Sequence, residues 1–192
     1  MYLNAPEGIS SPWFTPQTSD LLSKHYGLPA DRFRQEKLDS NAFVLERMDT
    51  IRDMVRSAPD PLLAGLQFAI LGNYLDFSAL QGQVSFEKLD AMLDKAFELD
   101  LDKAVYETFC RELEQGTKLL YLTDNAGEIA MDRLFAEEIQ RNYPELEITF
   151  CVRGGLTIND ATREDAAFME INWPIVDTGN DIGGVEIDLL SR

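Results

Sequence analysis

The chain predicts an α/β fold: an N-terminal helical bundle followed by a Rossmann-like, three-layer α/β/α parallel sheet. Three observations carry this. Helical periodicity dominates before Gly116, and short β-rich runs alternate with helical ones after it. The apolar run Leu119-Leu120-Tyr121-Leu122 also ends at Asp124-Asn125, directly before another helical stretch. The division places a helical subdomain at 1–115 and a Rossmann-like α/β subdomain at 116–192. A sheet built by such alternation has right-handed crossovers, and its ligands collect beyond the carboxyl ends of the strands.

Asp31 is placed to cap one long helix carrying Phe33, Phe43, Met48, Ile51 and Val55, which stops before Ser57-Ala58-Pro59-Asp60-Pro61. Pro61 suits the first turn of the next helix, expected to run to about Phe77. Ser85 and Asp100 are the expected caps of two further amphipathic helices, ending near Glu98 and Glu114. Beyond Gly116 the pattern gives strand Lys118–Thr123, helix Ala126–Arg141, strand Glu147–Val152, helix Thr162–Phe168 and strand Pro174–Val176. Gly183–Leu190 begins another helix. Three strands make a small open sheet with an exposed edge, which favours self-association or pairing with another chain.

Composition narrows the function classes. With 17 basic and 34 acidic residues the formal charge is −17, so the average surface repels nucleic acid and anionic membranes. No stretch approaches the ~18 consecutive apolar residues of a membrane span, and the start lacks a basic region before an apolar one. The expected location is the cytoplasm. Cys110 and Cys151 lie far apart and read as reduced core thiols rather than a disulfide or zinc pair.

His25 is the single histidine, so histidine-based triads and zinc sites have almost nothing to work with. The strand ends instead carry oxygen donors: Asp124, Asn125, Asn159 and Asp160. Carboxylate and amide oxygens suit magnesium, manganese or calcium. Adjacent parallel strands bring Asp124-Asn125 and the loop Arg153-Gly154-Gly155-Leu156-Thr157-Ile158-Asn159-Asp160 to one sheet edge, where the carboxylates can converge. Gly154 and Gly155 permit close backbone approach to a ligand, and the helix starting at Ala126 points free amides into the same cleft. Alone, Asp124-Asn125 reads as a helix cap; a second such loop on the neighbouring strand shifts the balance to a site. Gly154-Gly155 reads equally as a turn, and Arg153 as a solvated cation. Glu128 completes a capping box with Asn125 or stands behind the metal as a base. Asn73 and Asp76 share one face of the apolar helix that precedes them and are buried site residues or an exposed last turn.

The combination resembles the metal-dependent damage-control phosphatases. The resemblance rests on Gly72-Asn73-Tyr74-Leu75-Asp76-Phe77, on Asp124-Asn125-Ala126-Gly127-Glu128-Ile129, on Gly154-Gly155-Leu156-Thr157-Ile158-Asn159-Asp160-Ala161-Thr162, and on Asp31-Arg32-Phe33 with Lys37 and Asn41. It covers roughly residues 30 to 190. It implies hydrolysis of phosphate monoesters of small metabolites, among them damaged or surplus sugar phosphates and cofactor precursors, with manganese, cobalt, nickel or magnesium. The metal ligands it implies are Asp124, Asn125 and Asp160. Asp76 and Glu128 are the candidates to assist the attacking group, and Asn73, Arg153, Gly154, Gly155 and Asn159 those to hold substrate and phosphate.

Members of that family continue for some tens of residues past the equivalent of Arg192, through a glycine-rich, lysine-containing loop, and many carry an early cysteine pair absent here. The resemblance therefore implies a sheet incomplete at its C-terminal end, with Arg153 replacing the lost cation or with a partner chain completing the sheet. The alternative reading is a non-catalytic relative that binds a metal or phosphometabolite and acts through a partner. A dinucleotide-binding protein ranks below both, because Asp124-Asn125-Ala126-Gly127-Glu128 lacks the Gly-x-Gly-x-x-Gly pattern.

Overall fold

A computed structural model describes residues 8–74, 91 and 93–191. Its elements are α1 (Phe14–Tyr26), α2 (Arg34–Leu45), α3 (Met48–Ser57), α4 (Pro61–Tyr74), α5 (Lys103–Gln115), β1 (Lys118–Leu122), α6 (Glu128–Asn142), β2 (Glu147–Val152), α7 (Arg163–Phe168) and β3 (Ile175–Asp177). The strands run in the order β1-β2-β3 and every pair is parallel. The α/β fold with its small parallel sheet is thus the one expected from the sequence.

Several boundaries differ. The long helix expected after Asp31 is two helices. The Arg47 amide bonds back only three residues to the Val44 carbonyl, closing α2, and α3 restarts at Met48. The Asp31 side chain does not cap α2; its carbonyl accepts from the Arg34 amide instead. Asp102 rather than Asp100 caps α5, its Oδ1 accepting from the amides of Ala104 (2.8 Å) and Val105 (3.1 Å). Within the helix expected over Ser85–Glu98, residues 91 and 93–96 are helical, and 85–90 lie outside the described residues. Of Gly183–Leu190 only a 3-10 turn forms, at Ile187–Leu189.

The parallel register places Leu120 beside Thr149, and Leu122 beside Cys151 and Val176. These residues share one face of the sheet, on which Leu120, Leu122 and Val176 are exposed. The opposite face, with Ile148, Phe150 and Val152, is buried. Right-handed crossovers put α6 and α7 on that buried face. Helix α4 then packs on α6, so α6 is enclosed between sheet and helix and buries ten of its residues, from Glu128 to Ile139.

Two glycines allow that approach. A Cβ at Gly65 would lie 3.2 Å from Phe135 Cδ2, and one at Gly72 3.2 Å from Glu128 Cγ. The close crossing delivers Asn73, the next residue of α4, to the start of α6. One hydrophobic cluster runs from Val44 and Ile51 through Phe68 and Phe135 to Phe150, across the 115/116 boundary. Among the described residues no helix is long and apolar enough to cross a membrane.

Candidate functional site

The loops that follow β1 and β2 are bonded to each other. Asn125 and Asp160 form an isolated antiparallel bridge: the Ala126 amide donates to the Asn159 carbonyl (2.8 Å) and the Ala161 amide to the Asp124 carbonyl (2.7 Å). Asp124, Asn125 and Asp160 are thereby brought together, as the strand order predicts. Asn159 contributes its backbone carbonyl. Its side chain has no role that these contacts define.

Glu128 and Asn73 order the first loop. The Asn125 amide nitrogen Nδ2 donates to Glu128 Oε2 (3.0 Å), and the Asn125 backbone amide donates to the same oxygen (3.3 Å). Glu128 therefore does receive the backbone bond of a capping box, and it also fixes the Asn125 side chain so that Oδ1 is left as an acceptor. Asn73 Nδ2 reaches Asp124 Oδ2 (3.2 Å) and both Glu128 oxygens (3.3 Å). Beside Asn73 and Glu128 opens a groove of about 550 Å³, lined by Ile70, Phe109, Leu119, Tyr121 and Asp132 among others. Asp76 lies outside the described residues.

Arg153 is not a solvated cation. Its side chain is buried, with Nε donating to Asp160 Oδ2 at 2.7 Å and Nη1 to the Gly184 carbonyl. The glycines after it also have a local explanation. A Cβ at Gly154 would stand 2.6 Å from the backbone nitrogens of Gly179 and Asn180, and one at Gly155 2.7 Å from Asp181 Cβ. The chain's own segment 179–181 occupies the space that the sequence reading reserved for a ligand. Three amides leading into α6, where the sequence predicts free ones, are likewise engaged. Asn125 N bonds Glu128, Ala126 N bonds the Asn159 carbonyl, and Gly127 N bonds Asn41 Oδ1 (2.7 Å).

The site is strongly acidic. Burial pushes the Glu128 carboxyl up, opposed by the bonds from Asn125 and Asn73 and reinforced by Asp124. Burial also raises Asp160, against the pull of Arg153. One turn beyond Glu128, Asp132 is buried and pushed well above the ordinary carboxyl value by burial and by the Glu128 charge; Tyr121 Oη donates to its Oδ1 (2.8 Å), and Oδ2 has no hydrogen-bond partner among the described residues. Sequence reasoning missed Asp132. Its signal was the i, i+4 spacing from Glu128 on a helix enclosed on two sides.

Among the described residues no three His, Cys, Asp or Glu side chains form a group able to hold a metal ion by themselves. The set Asp124, Asn125 and Asp160 offers two carboxylates and an amide oxygen, a hard-donor set that fits magnesium or manganese. Crowded, partly desolvated carboxylates with one guanidinium among them also suit a further cation.

Residues 16–191 match the damage-control phosphatase ARMT1-like domain. A damage-control phosphatase of Pyrococcus horikoshii is 33% identical over 165 residues, covering 84% of this chain and 55% of that protein. One from Archaeoglobus fulgidus is 32% identical over 142 residues, 74% of this chain and 48% of its own length. The crystal structure of a DUF89 family protein from P. horikoshii superposes with a TM-score of 0.72 at 30% identity, over 90% of this chain and 58% of that one. The chain spans about half the length of the curated relatives it matches.

Proposed function

The chain belongs to the damage-control phosphatase ARMT1-like family, and on that premise we infer that it is a metal-dependent phosphatase hydrolysing phosphate monoesters of small metabolites. The observation that carries the reading is the bridge between Asn125 and Asp160, which joins Asp124, Asn125 and Asp160 into one oxygen-donor set beside Glu128 and Asn73. Relatives named damage-control phosphatases from two archaea support the reaction class.

Asp124, Asn125 and Asp160 would hold a divalent cation: manganese, cobalt, nickel or magnesium. Such an ion neutralises charge on phosphoryl oxygens and orients them for attack. Around it the chain's own side chains have distinct tasks. Glu128 turns the Asn125 amide so that Oδ1 faces away from the Glu128–Nδ2 bond, and burial raises its pKa, which makes its carboxylate a stronger proton acceptor than an exposed one. Asn73 steadies Asp124 and Glu128 together. The substrate class is a small phosphorylated metabolite, with damaged or surplus sugar phosphates and cofactor precursors as first candidates. Asp76 is the second candidate for proton transfer.

The test is phosphate release from a panel of sugar phosphates with and without manganese or cobalt. Metal-stimulated turnover that disappears in Asp124→Ala and Asp160→Ala is the expected result; full activity in either variant overturns the assignment. One observation favours a second reading, a metal- or phosphometabolite-binding protein that acts through a partner chain: Arg153 is already engaged by Asp160 and Gly184 and is not free to meet a phosphate. Manganese binding without turnover on the whole panel selects that reading.

A further inference from the structure

The two loops of the site are held twice. On one side they meet at the Asn125–Asp160 bridge. On the other, each is bonded two residues further on to a buried polar group that belongs to neither loop's tip. Gly127 N donates to Asn41 Oδ1 (2.7 Å); Asn41 Nδ2 donates to Asp165 Oδ1 (2.8 Å); Asp165 Oδ2 accepts from Thr162 N and Thr162 Oγ1, both at 2.7 Å. The bonds close a ring: Asn125, Gly127, Asn41, Asp165, Thr162, Asp160 and back to Asn125.

We propose that Asn41 and Asp165, charge-balanced by Lys37, form a clamp that sets the geometry of both loops and so positions Asp124, Asn125 and Asp160; this rests on the metal reading above. Asn41 is 0% exposed and Asp165 2%, so both bonds are made out of water, where leaving either group unpaired is costly. Lys37 Nζ lies 2.7 Å from Asp165 Oδ2 and is itself buried, so the oxygen that accepts from Thr162 also has a cation's donor beside it.

The geometry requires each member. Gly127 has φ 83°, a conformation that turns its amide to Asn41 and that side-chain-bearing residues disfavour. Thr162 and Asp165 make a reciprocal capping box at the start of α7, so the bond that anchors the second loop also starts the helix. Asn41 and Lys37 sit one turn apart on α2, an element outside the sheet. The orientation of α2 therefore enters the geometry of the ligand loops directly. Lys37, Asn41 and Asp165 are positioning residues, since they act through Gly127 and Thr162.

The test uses the full chain, first metal-free and then titrated with manganese. In Asn41→Ala, amide hydrogen exchange is expected to accelerate in 124–127 and 159–162 while α3 and the centre of β2 keep wild-type protection. Manganese affinity, read from the free-ion electron paramagnetic resonance signal, is expected to weaken on the order of 10–100-fold, as for other residues that orient metal ligands. If Asn41→Ala does not fold, Lys37→Met gives the same two readouts, and Lys37→Arg is expected to restore them. Unchanged loop exchange overturns the clamp, and so does accelerated exchange with unaltered manganese affinity. Accelerated loop exchange in a protein whose wild type binds no manganese supports the clamp and removes the metal reading, so the two fail separately.

Discussion

Arg153 lies across Asp160, Nε to Oδ2 at 2.7 Å, with both side chains nearly out of water. Breaking a buried pair by deleting one partner leaves the other charge uncompensated. Arg153→Met is therefore expected to destabilise the metal-free chain by ~3–5 kcal/mol in urea unfolding. The double variant Arg153→Met/Asp160→Asn recovers most of that loss, because neither member of the pair is then charged. Additive losses in the double-mutant cycle would show that the pair is not coupled.

Asp132 makes a pH dependence. Its carboxyl is pushed well above the ordinary value of 3.8 by burial, then by Glu128. Because folding raises this pKa, the native state is at full strength below 3.8 and loses stability as pH rises from there to the raised value. Asp132→Asn keeps an acceptor for Tyr121 Oη and cannot ionise. It is expected to be more stable than wild type near neutral pH, by ~1.4 kcal/mol for each pH unit above 3.8 that also lies below the raised pKa. The advantage vanishes in acid. Parallel unfolding curves at the two pH values would contradict this.

Gly154→Ala tests what the glycine pair is for. The new methyl group would stand 2.6 Å from two backbone nitrogens, so segment 179–181 must move. A loss of ~1–3 kcal/mol is expected, the usual range for overpacking. No loss would mean that the segment is loosely held.

Ile158 occupies the left-handed region at φ 38°, in the turn closed by the Asp160 amide on the Thr157 carbonyl (2.9 Å). A branched side chain is strained there, and Asn accepts the conformation readily. Ile158→Asn is expected to stabilise the chain by ~1 kcal/mol, measured as a rise in thermal midpoint. A fall in the midpoint would show that packing of the half-exposed Ile side chain outweighs the strain.

The parts of this structure legible in sequence are those set by local periodicity and strand adjacency. Leu119 to Leu122 reads as a strand, and the loops after β1 and β2 had to emerge together, which is why Asp124, Asn125 and Asp160 converge. Features that depend on distant packing were not legible. Glu46-Arg47 breaks a helix with neither Gly nor Pro to announce it. Arg153 read equally as a phosphate-binding cation and as a solvated one, because its burial depends on Asp160, seven residues on, folding back over it. Gly154 is crowded by residues some 25 positions later. Asp132 is invisible until α6 is known to have a neighbour on both sides, since one turn of helix alone does not say which polar positions lose water.

The ring through Asn41 also imposes an order in time. Asn41 precedes Gly127 by 86 residues and Asp165 by 124, so a chain emerging from its N-terminus makes this amide long before either partner exists. Until then its donor and acceptor can be satisfied only by water. Contacts of such separation close slowly and late. Helices α2 to α4 can collapse early on their own apolar faces, but the acidic site is completed only when α7 docks. The loops that carry Asp124, Asn125 and Asp160 reach their final geometry only after the chain has been made well past Asp160.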